Sequence, residues 1–313
     1  MQNVNKGFGL LFEMGCGKTL TAIAIAGAGY QMGKVERLLI VAPTSVVAVW
    51  PKELQEYAKF KYTCKTLLGE KKQRLKQIDD LIKFPFKALK VAVINYESTW
   101  RPEILEKLKE FDADMVIADE SQRIKTYDAA QSKAMHELGD QARYKLILSG
   151  TPVQTAAIDI WSQYRFLDKT VFGDNFFKFR GRYAIMGGYG NKKIVGYKDL
   201  EGLIKKEHSI AFRVTKDEAL DLPEQTFETR KIQFNQKEKN LYERIKKDSY
   251  AELDGGGHIT ATTVLTRLLR LQQLAGGFLV QDDAQKPQLV SRAKLDALAD
   301  IIEDYVIGSG KKL

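Results

Sequence analysis

Apolar residues in the first half of the chain gather in short runs at 8–11, 38–42, 91–94, 115–118 and 145–148, the first continuing into Phe12 and the last opening on Lys145. Runs without polar alternation read as strands buried on both faces. The stretches between them carry helical spacing at 20–28, 73–82, Pro102–Phe111 and 131–138. Gly33 stops the first helix. Thr44 or Ser45 can cap a short helix, and Pro51 either interrupts that helix or starts a new one over 51–57. Alternating strands and helices predict an α/β fold, a parallel sheet covered by helices on both faces. Ligands bind such sheets just outside the carboxyl ends of the strands.

Past Thr155 the pattern changes. Residues 158–167 read as an aromatic helix. Residues 171–198 hold Phe172, Phe176, Phe177, Phe179 and a loop-like glycine cluster at 187–191. Residues 209–215 and 227–234 read as strands, and 235–248, 262–274 and 293–306 as helices, with three glycines breaking the chain at 255–257.

The chain has 313 residues, 44% of them hydrophobic, which suffices for two core-forming units. Its formal charge of +9 suits a polyanionic partner. Basic residues crowd at Lys59, Lys61, Lys65, Lys71, Lys72, Arg74 and Lys76. That crowd reads equally as a polyanion site or as a solvated helix face. Cys16 and Cys64 are the two cysteines, which is too few for a disulfide framework, so a reducing setting fits. No apolar run reaches the ~20 residues that span a bilayer, so no membrane partner is expected.

The chemistry gathers after the strands. Residues Met14, Gly15, Cys16, Gly17, Lys18 and Thr19 lie between the first strand and the first helix. Two glycines let successive N–H groups face one phosphate, and the helix start adds a positive dipole end. Lys18 supplies a point charge for the β- and γ-phosphates and Thr19 a hydroxyl for Mg²⁺. The competing reading is a glycine turn before an ordinary buried helix. Asp119 and Glu120 end the fourth strand. A carboxylate there can hold Mg²⁺ while its neighbour orients or deprotonates an attacking water. Asp119 is assigned to the metal and Glu120 to the water; alone, such a pair also reads as a loop start. Ser149, Gly150 and Thr151 end the fifth strand and can reach the acidic pair and a DNA backbone, or form a plain turn.

Residues 13–19 (EMGCGKT), 119–125 (DESQRIK) and 148–154 (LSGTPVQ) occur in that order. Together they resemble the first motor lobe of a Swi/Snf-type ATPase of helicase superfamily two. Family members read close to DEMGLGKT, DEAHRIKN and LSGTPVQN at these places. Further likenesses are Ala42–Pro43–Thr44–Ser45 with Trp50 and Glu53, Tyr96–Glu97, Arg165–Phe166–Leu167, Arg213 with Thr215–Lys216, Leu222–Pro223, and 267–274. Phe12 stands in place of an acid, Ser121–Gln122 in place of Ala-His, Thr126 and Thr155 in place of Asn, and Val214 in place of a second Arg. Such looser motifs resemble compact phage and bacterial members. The family's adenine-contacting glutamine is not assigned to Gln2.

The resemblance implies a RecA-like core over 1–155 and a helical protrusion over 156–208, inserted after the fifth strand. It implies return elements over 209–290 that complete the lobe and the start of a second lobe over 291–313. It implies ATP and Mg²⁺ as cofactors and double-stranded DNA as partner, with Thr44, Ser45, Trp50, Ser149, Gly150 and Thr151 on the DNA. The expected activity is ATP-driven movement along duplex DNA, in a bacterial or phage-infected cytoplasm, or in a nucleus if eukaryotic. The alternatives are a strand-separating helicase or restriction-type translocase of the same superfamily, and an ATP- and DNA-binding module without turnover. The second lobe's paired arginines find no match here, so this chain is expected to be half of a motor, weak or inactive alone.

Overall fold

The computed structural model describes residues 7–152, 156–191, 193–222, 227–247, 250–252, 258–260, 263–280 and 287–308. Gln2, residues 153–155, Pro223 and the glycines at 255–257 lie outside the described residues. Two compact units divide at Pro223.

In the first unit the elements run in chain order β1 (Gly7–Phe12), α1 (Lys18–Gln31), β2 (Arg37–Ala42), α2 (Trp50–Tyr57), β3 (Tyr62–Thr66) and α3 (Lys71–Ile82). Then follow β4 (Leu89–Asn95), α4 (Tyr96–Thr99), α5 (Pro102–Phe111), β5 (Met115–Asp119), a short turn Ser121–Ile124, α6 (Ala130–Gln141) and β6 (Tyr144–Leu148). The sheet has seven strands in the order β3-β4-β2-β5-β6-β1-β9, where β9 is the later strand Ala211–Val214, and every neighbouring pair is parallel. Alternation along the strands fills two cores. Leu39 and Val41 face one core and Leu38, Ile40 and Ala42 the other, and Val116 with Ala118 oppose Met115 with Ile117 in the same way. Helices cover both faces, which is why these strands contain almost no polar residue.

The predicted strands of this half are present, as are the predicted helices except the one that Thr44 or Ser45 was to cap: residues 44–49 form turns, and α2 starts at Trp50 without a side-chain cap. One strand was not predicted. β3 sits at the sheet edge, where Tyr62 and Cys64 are only half-buried and the neighbouring lysines are exposed, so it lacks an unbroken apolar run. The basic crowd therefore does not form one helix face: it is shared between β3, α3 and the turns flanking them. Arg74 turns inward and donates to Gly69 O, Asn95 Oδ1 and Ser98 Oγ.

After β6 the chain forms α7 (Ile160–Leu167), α8 (Lys169–Phe172), α9 (Phe176–Tyr183), a β7–β8 hairpin (Ala184–Gly187 and Lys193–Tyr197), α10 (Leu200–Glu207), β9 (Ala211–Val214) and α11 (Lys216–Ala219). The stretch 156–208 is thus helical except for that hairpin, whose strands flank the predicted loop. β9 returns to pair with β1, so the far edge of the sheet is closed by a strand some 200 residues downstream.

The second unit contains α12 (Gln236–Lys247), β10 (Tyr250–Glu252), β11 (His258–Thr260), α13 (Val264–Ala275), β12 (Phe278–Val280), β13 (Pro287–Leu289) and α14 (Ala293–Ile301), which continues as a wider turn over Ile302–Ile307. Its small core holds Ile245, Leu274 and Leu279. The strand predicted over 227–234 is absent: the backbone there is irregular, Phe227 is exposed, and no strand among the described residues pairs with it. No helix among the described residues is long and apolar enough to cross a membrane.

Candidate nucleotide and nucleic-acid site

The carboxyl ends of β1, β2, β4, β5 and β6 carry the candidate residues, as a parallel sheet dictates. After Phe12 the backbone turns through Gly15 (φ 87°) and Gly17 (φ 83°), both left-handed and both with open space where a side chain would project. Glycine is the residue that adopts this conformation without strain. Cys16 N donates to Glu13 O, closing the turn. Gly17 starts α1, which has no side-chain cap and no acidic residue in its first turn. Leading N–H groups of an uncapped helix form an anion site. Met14 is 69% exposed at the rim of this loop.

Lys18 folds back over the loop, its Nζ donating to Phe12 O at 2.8 Å and Glu13 O at 3.2 Å. These carbonyls hold the ammonium where an incoming anion can take it over. The loop is braced from behind. Glu13 N donates to Val214 O, and Glu13 Oε2 accepts from Lys216 N at 3.0 Å. Gly150 presses against the same loop: a side chain there would lie 3.3 Å from Phe12 O and 3.7 Å from Met14 N.

Asp119 is buried at the end of β5. Burial pushes its carboxyl up to about 6, opposed by a hydrogen bond from Trp50 and by the nearby charge of Lys18, and assisted by Glu120. The Asp119 carboxylate and the Thr19 hydroxyl are oxygen donors of the type a hard divalent cation takes, and the described residues hold no cluster of three or more metal-ligating side chains. Glu120 adopts a left-handed backbone (φ 50°), unusual for a residue with a side chain, and this turns it out of the strand line. Its Oε2 accepts from Gln122 Nε2 at 2.7 Å, and Gln122 Oε1 accepts from Ser149 Oγ at 2.8 Å. Ser149 therefore does reach the acidic pair, through the glutamine that replaces the family's histidine.

Two expectations need correction. Trp50 cannot contact DNA: its side chain is 1% exposed and its indole N–H donates to Asp119 Oδ2 at 2.9 Å. Ser149 is also fully buried, its hydroxyl donating to Gln122 and accepting from Thr151 N, so it too is unavailable to a nucleic acid. Thr44, Ser45 and Thr151 are exposed. Thr44 Oγ1 donates to Glu97 Oε2 at 3.1 Å, and Asn95 Nδ2 donates to the same oxygen at 2.8 Å. Burial pushes Glu97 up, but its own N–H, Asn95, Thr44 and the charge of Arg123 together hold it below the usual carboxylate range.

Two roles escape sequence reasoning. Gln163 is buried; its Oε1 accepts from Ser121 Oγ at 2.6 Å and its Nε2 donates to Pro152 O at 2.7 Å, tying the two loops together. Tyr96 donates to Asp119 O at 2.7 Å. Both partners are remote in sequence: nothing local marks Gln163, and the likeness at Tyr96–Glu97 does not show that Tyr96 reaches Asp119.

The family profile of the SNF2-related domain matches residues 2–276. The chain is 30% identical over 281 residues to a putative ATP-dependent helicase/translocase, YwqA, of Bacillus subtilis, covering 86% of this chain and 28% of that protein. It is 27% identical over 287 residues to a putative SWI/SNF-related regulator of chromatin, subfamily A member 3-like 1, of Arabidopsis thaliana, covering 85% of this chain and 31% of that one. It thus spans about a third or less of the length of these relatives. The SWI2/SNF2 ATPase core of Sulfolobus solfataricus, solved in complex with dsDNA, superposes with a TM-score of 0.54 at 23% identity, over 98% of this chain and 61% of that one. This likeness shows the same RecA-like fold.

Proposed function

The chain belongs to the SNF2-related domain family, and from that premise we propose that it is the nucleotide-binding lobe of an ATPase that moves along double-stranded DNA. The observation that carries the reading is one arrangement. An uncapped glycine loop with Lys18 lies within electrostatic reach of a buried Asp119, and Glu120 beside it is held by Gln122. Relatives named as ATP-dependent helicases support the same reading.

In this reading the loop N–H groups and Lys18 cradle the β- and γ-phosphates, Lys18 exchanging its two carbonyl partners for phosphate oxygens. Met14 to Thr19 line the nucleotide. Asp119 and Thr19 would hold Mg²⁺, which supplies charge neutralisation at the phosphates. Glu120, with one oxygen fixed by Gln122, keeps the other for the proton of the attacking water. Thr44, Ser45 and Thr151 meet the duplex backbone, which positions the protein without reading sequence. Gly150 acts from behind the loop. A second lobe supplies the arginines across the cleft, worth ~10³–10⁵ in rate.

Binding of a fluorescent ATP analogue and steady-state hydrolysis with and without duplex DNA test this. Lys18→Ala is expected to lose nucleotide affinity at least about tenfold, or ~1.4 kcal/mol. Glu120→Gln is expected to bind as the parent does but to lose ~10²–10⁴ in turnover. Turnover should rise with duplex DNA and again on adding a second lobe. Equal nucleotide binding by Lys18→Ala and the parent would sink the assignment, and binding without any turnover in these mixtures would identify a binding module instead.

A further inference from the structure

Two buried aromatic side chains reach Asp119 from two separate surface segments. Trp50 opens α2 and donates its indole N–H to Asp119 Oδ2 at 2.9 Å. Tyr96 opens α4 and donates its hydroxyl to the Asp119 main-chain oxygen at 2.7 Å. Both rings are enclosed, so water cannot replace either bond when it is lost. One ring thereby fixes the carboxylate and the other fixes the peptide that carries it.

The segments leading into the two rings are themselves joined. From the end of β2, Pro43 O accepts from Val46 N and Val47 N, Val46 O from Val49 N, and Val49 O from Glu53 N inside α2. This chain of turns connects exposed Thr44 and Ser45 to Trp50. On the other side, Asn95 immediately precedes Tyr96. Its Nδ2 donates to Thr44 Oγ1 at 3.3 Å and to Glu97 Oε2 at 2.8 Å, while its Oδ1 accepts from Arg74 at 3.0 Å. A phosphate that accepts the Thr44 hydroxyl must take it from Glu97, and the displacement then has two short, rigid routes to Asp119.

We infer that Trp50 and Tyr96 are positioning residues that couple engagement of a duplex backbone at Thr44 and Ser45 to the affinity of Asp119 for a divalent cation. The inference rests on the assignment of Asp119 to the metal and of Thr44 and Ser45 to the DNA. Coupling of this kind is reciprocal: DNA changes cation affinity by the same factor as the cation changes DNA affinity.

The test uses the full chain with a non-hydrolysable ATP analogue, and Mn²⁺ read by the electron paramagnetic resonance of the free ion. Titrations run with and without a mixed-sequence duplex. In the parent, duplex is expected to shift the Mn²⁺ dissociation constant by roughly 5–150-fold. Trp50→Phe keeps the apolar ring but removes the donor. It is expected to weaken Mn²⁺ binding by about tenfold or more and to abolish the duplex-dependent shift. Tyr96→Phe, which removes one hydroxyl, is expected to lose the shift with a smaller change in Mn²⁺ affinity. Binding of the analogue in EDTA should match the parent in both variants, and circular dichroism melts establish that they fold. If Trp50→Phe does not fold, Tyr96→Phe alone decides. A full duplex shift in a folded variant overturns the inference. So does a parent that binds Mn²⁺ equally well with and without duplex, although the site assignment then stands. A parent without Lys18-dependent binding of Mn²⁺ and the analogue overturns the site assignment as well.

Discussion

At the scale of single residues, Asp119 shows how a site works against the stability of its own fold. Its carboxyl ordinarily titrates near 3.8 but is raised to about 6 by burial. The folded protein therefore favours the protonated form. Below pH ~4 the group is neutral in both states and carries no penalty. Between ~4 and ~6 the unfolded chain releases the proton first, and stability falls as pH rises; above ~6 the loss is complete. A rise from 3.8 to about 6 corresponds to roughly 3 kcal/mol. In metal-free buffer, Asp119→Asn is therefore expected to melt higher than the parent at pH 7.5 and to match it at pH 4. Its turnover with Mg²⁺ should be abolished. Thermal melts across pH 4–8 check this, and a pH-independent difference would show that the carboxylate is not desolvated as the burial implies.

At the scale of elements, the glycine loop is a conformational device. Gly17 is left-handed at the head of α1, with no neighbour within 4 Å of a new Cβ. Gly17→Ala meets no steric clash, only the left-handed penalty of ~1–2 kcal/mol. It is expected to lower stability by about that amount, or to relax the turn and lose nucleotide affinity instead. Urea unfolding and analogue titration on the same variant separate the two outcomes. The loop was legible in the sequence because its chemistry is local, with two glycines, Lys18 and Thr19 in one short stretch. The central strands were legible for a related reason. β2, β4 and β5 are buried on both faces, so nearly every residue in them is apolar. β3 was not, because an edge strand needs only Tyr62 and Cys64 on its covered side and tolerates Lys65. The irregular 227–234 stretch failed in the opposite direction: its spacing suits a strand, but no strand among the described residues pairs with its backbone. The acidic pair was legible, yet the supports of Asp119 were not. Trp50 is 69 residues away in the chain and Tyr96 is 23, and an aromatic residue after a loop looks the same whether it faces solvent or a carboxylate.

At the scale of the whole molecule, charge and connectivity lead to two expectations. The net charge of +9 and the sequence-blind character of phosphate contacts predict duplex binding whose log affinity falls linearly with log salt concentration. Fluorescence anisotropy with two unrelated duplexes should give equal affinities and equal slopes; a marked preference for one sequence would count against backbone recognition. Connectivity argues further. All the candidate residues, from Met14 to Thr151, lie in the unit that ends at Pro223. That unit braces its glycine loop with its own last elements. β9 covers the open edge of β1, Val214 O accepts from Glu13 N, and Lys216 N donates to Glu13 Oε2. A fragment cut after Pro223 is therefore expected to unfold cooperatively and to bind the ATP analogue within about threefold of the full chain, under ~0.7 kcal/mol. A fragment cut after His208 keeps the loop, both acids and every strand up to β6, but loses β9 and the Lys216 contact. It should bind the analogue at least about tenfold more weakly and expose β1 as a sheet edge prone to pairing with another chain. Calorimetric titration of the two fragments, with light scattering to follow association, decides the matter. If the shorter fragment binds as well as the longer one, the loop holds its shape unaided, and the bond between Glu13 and Lys216 is incidental to nucleotide binding.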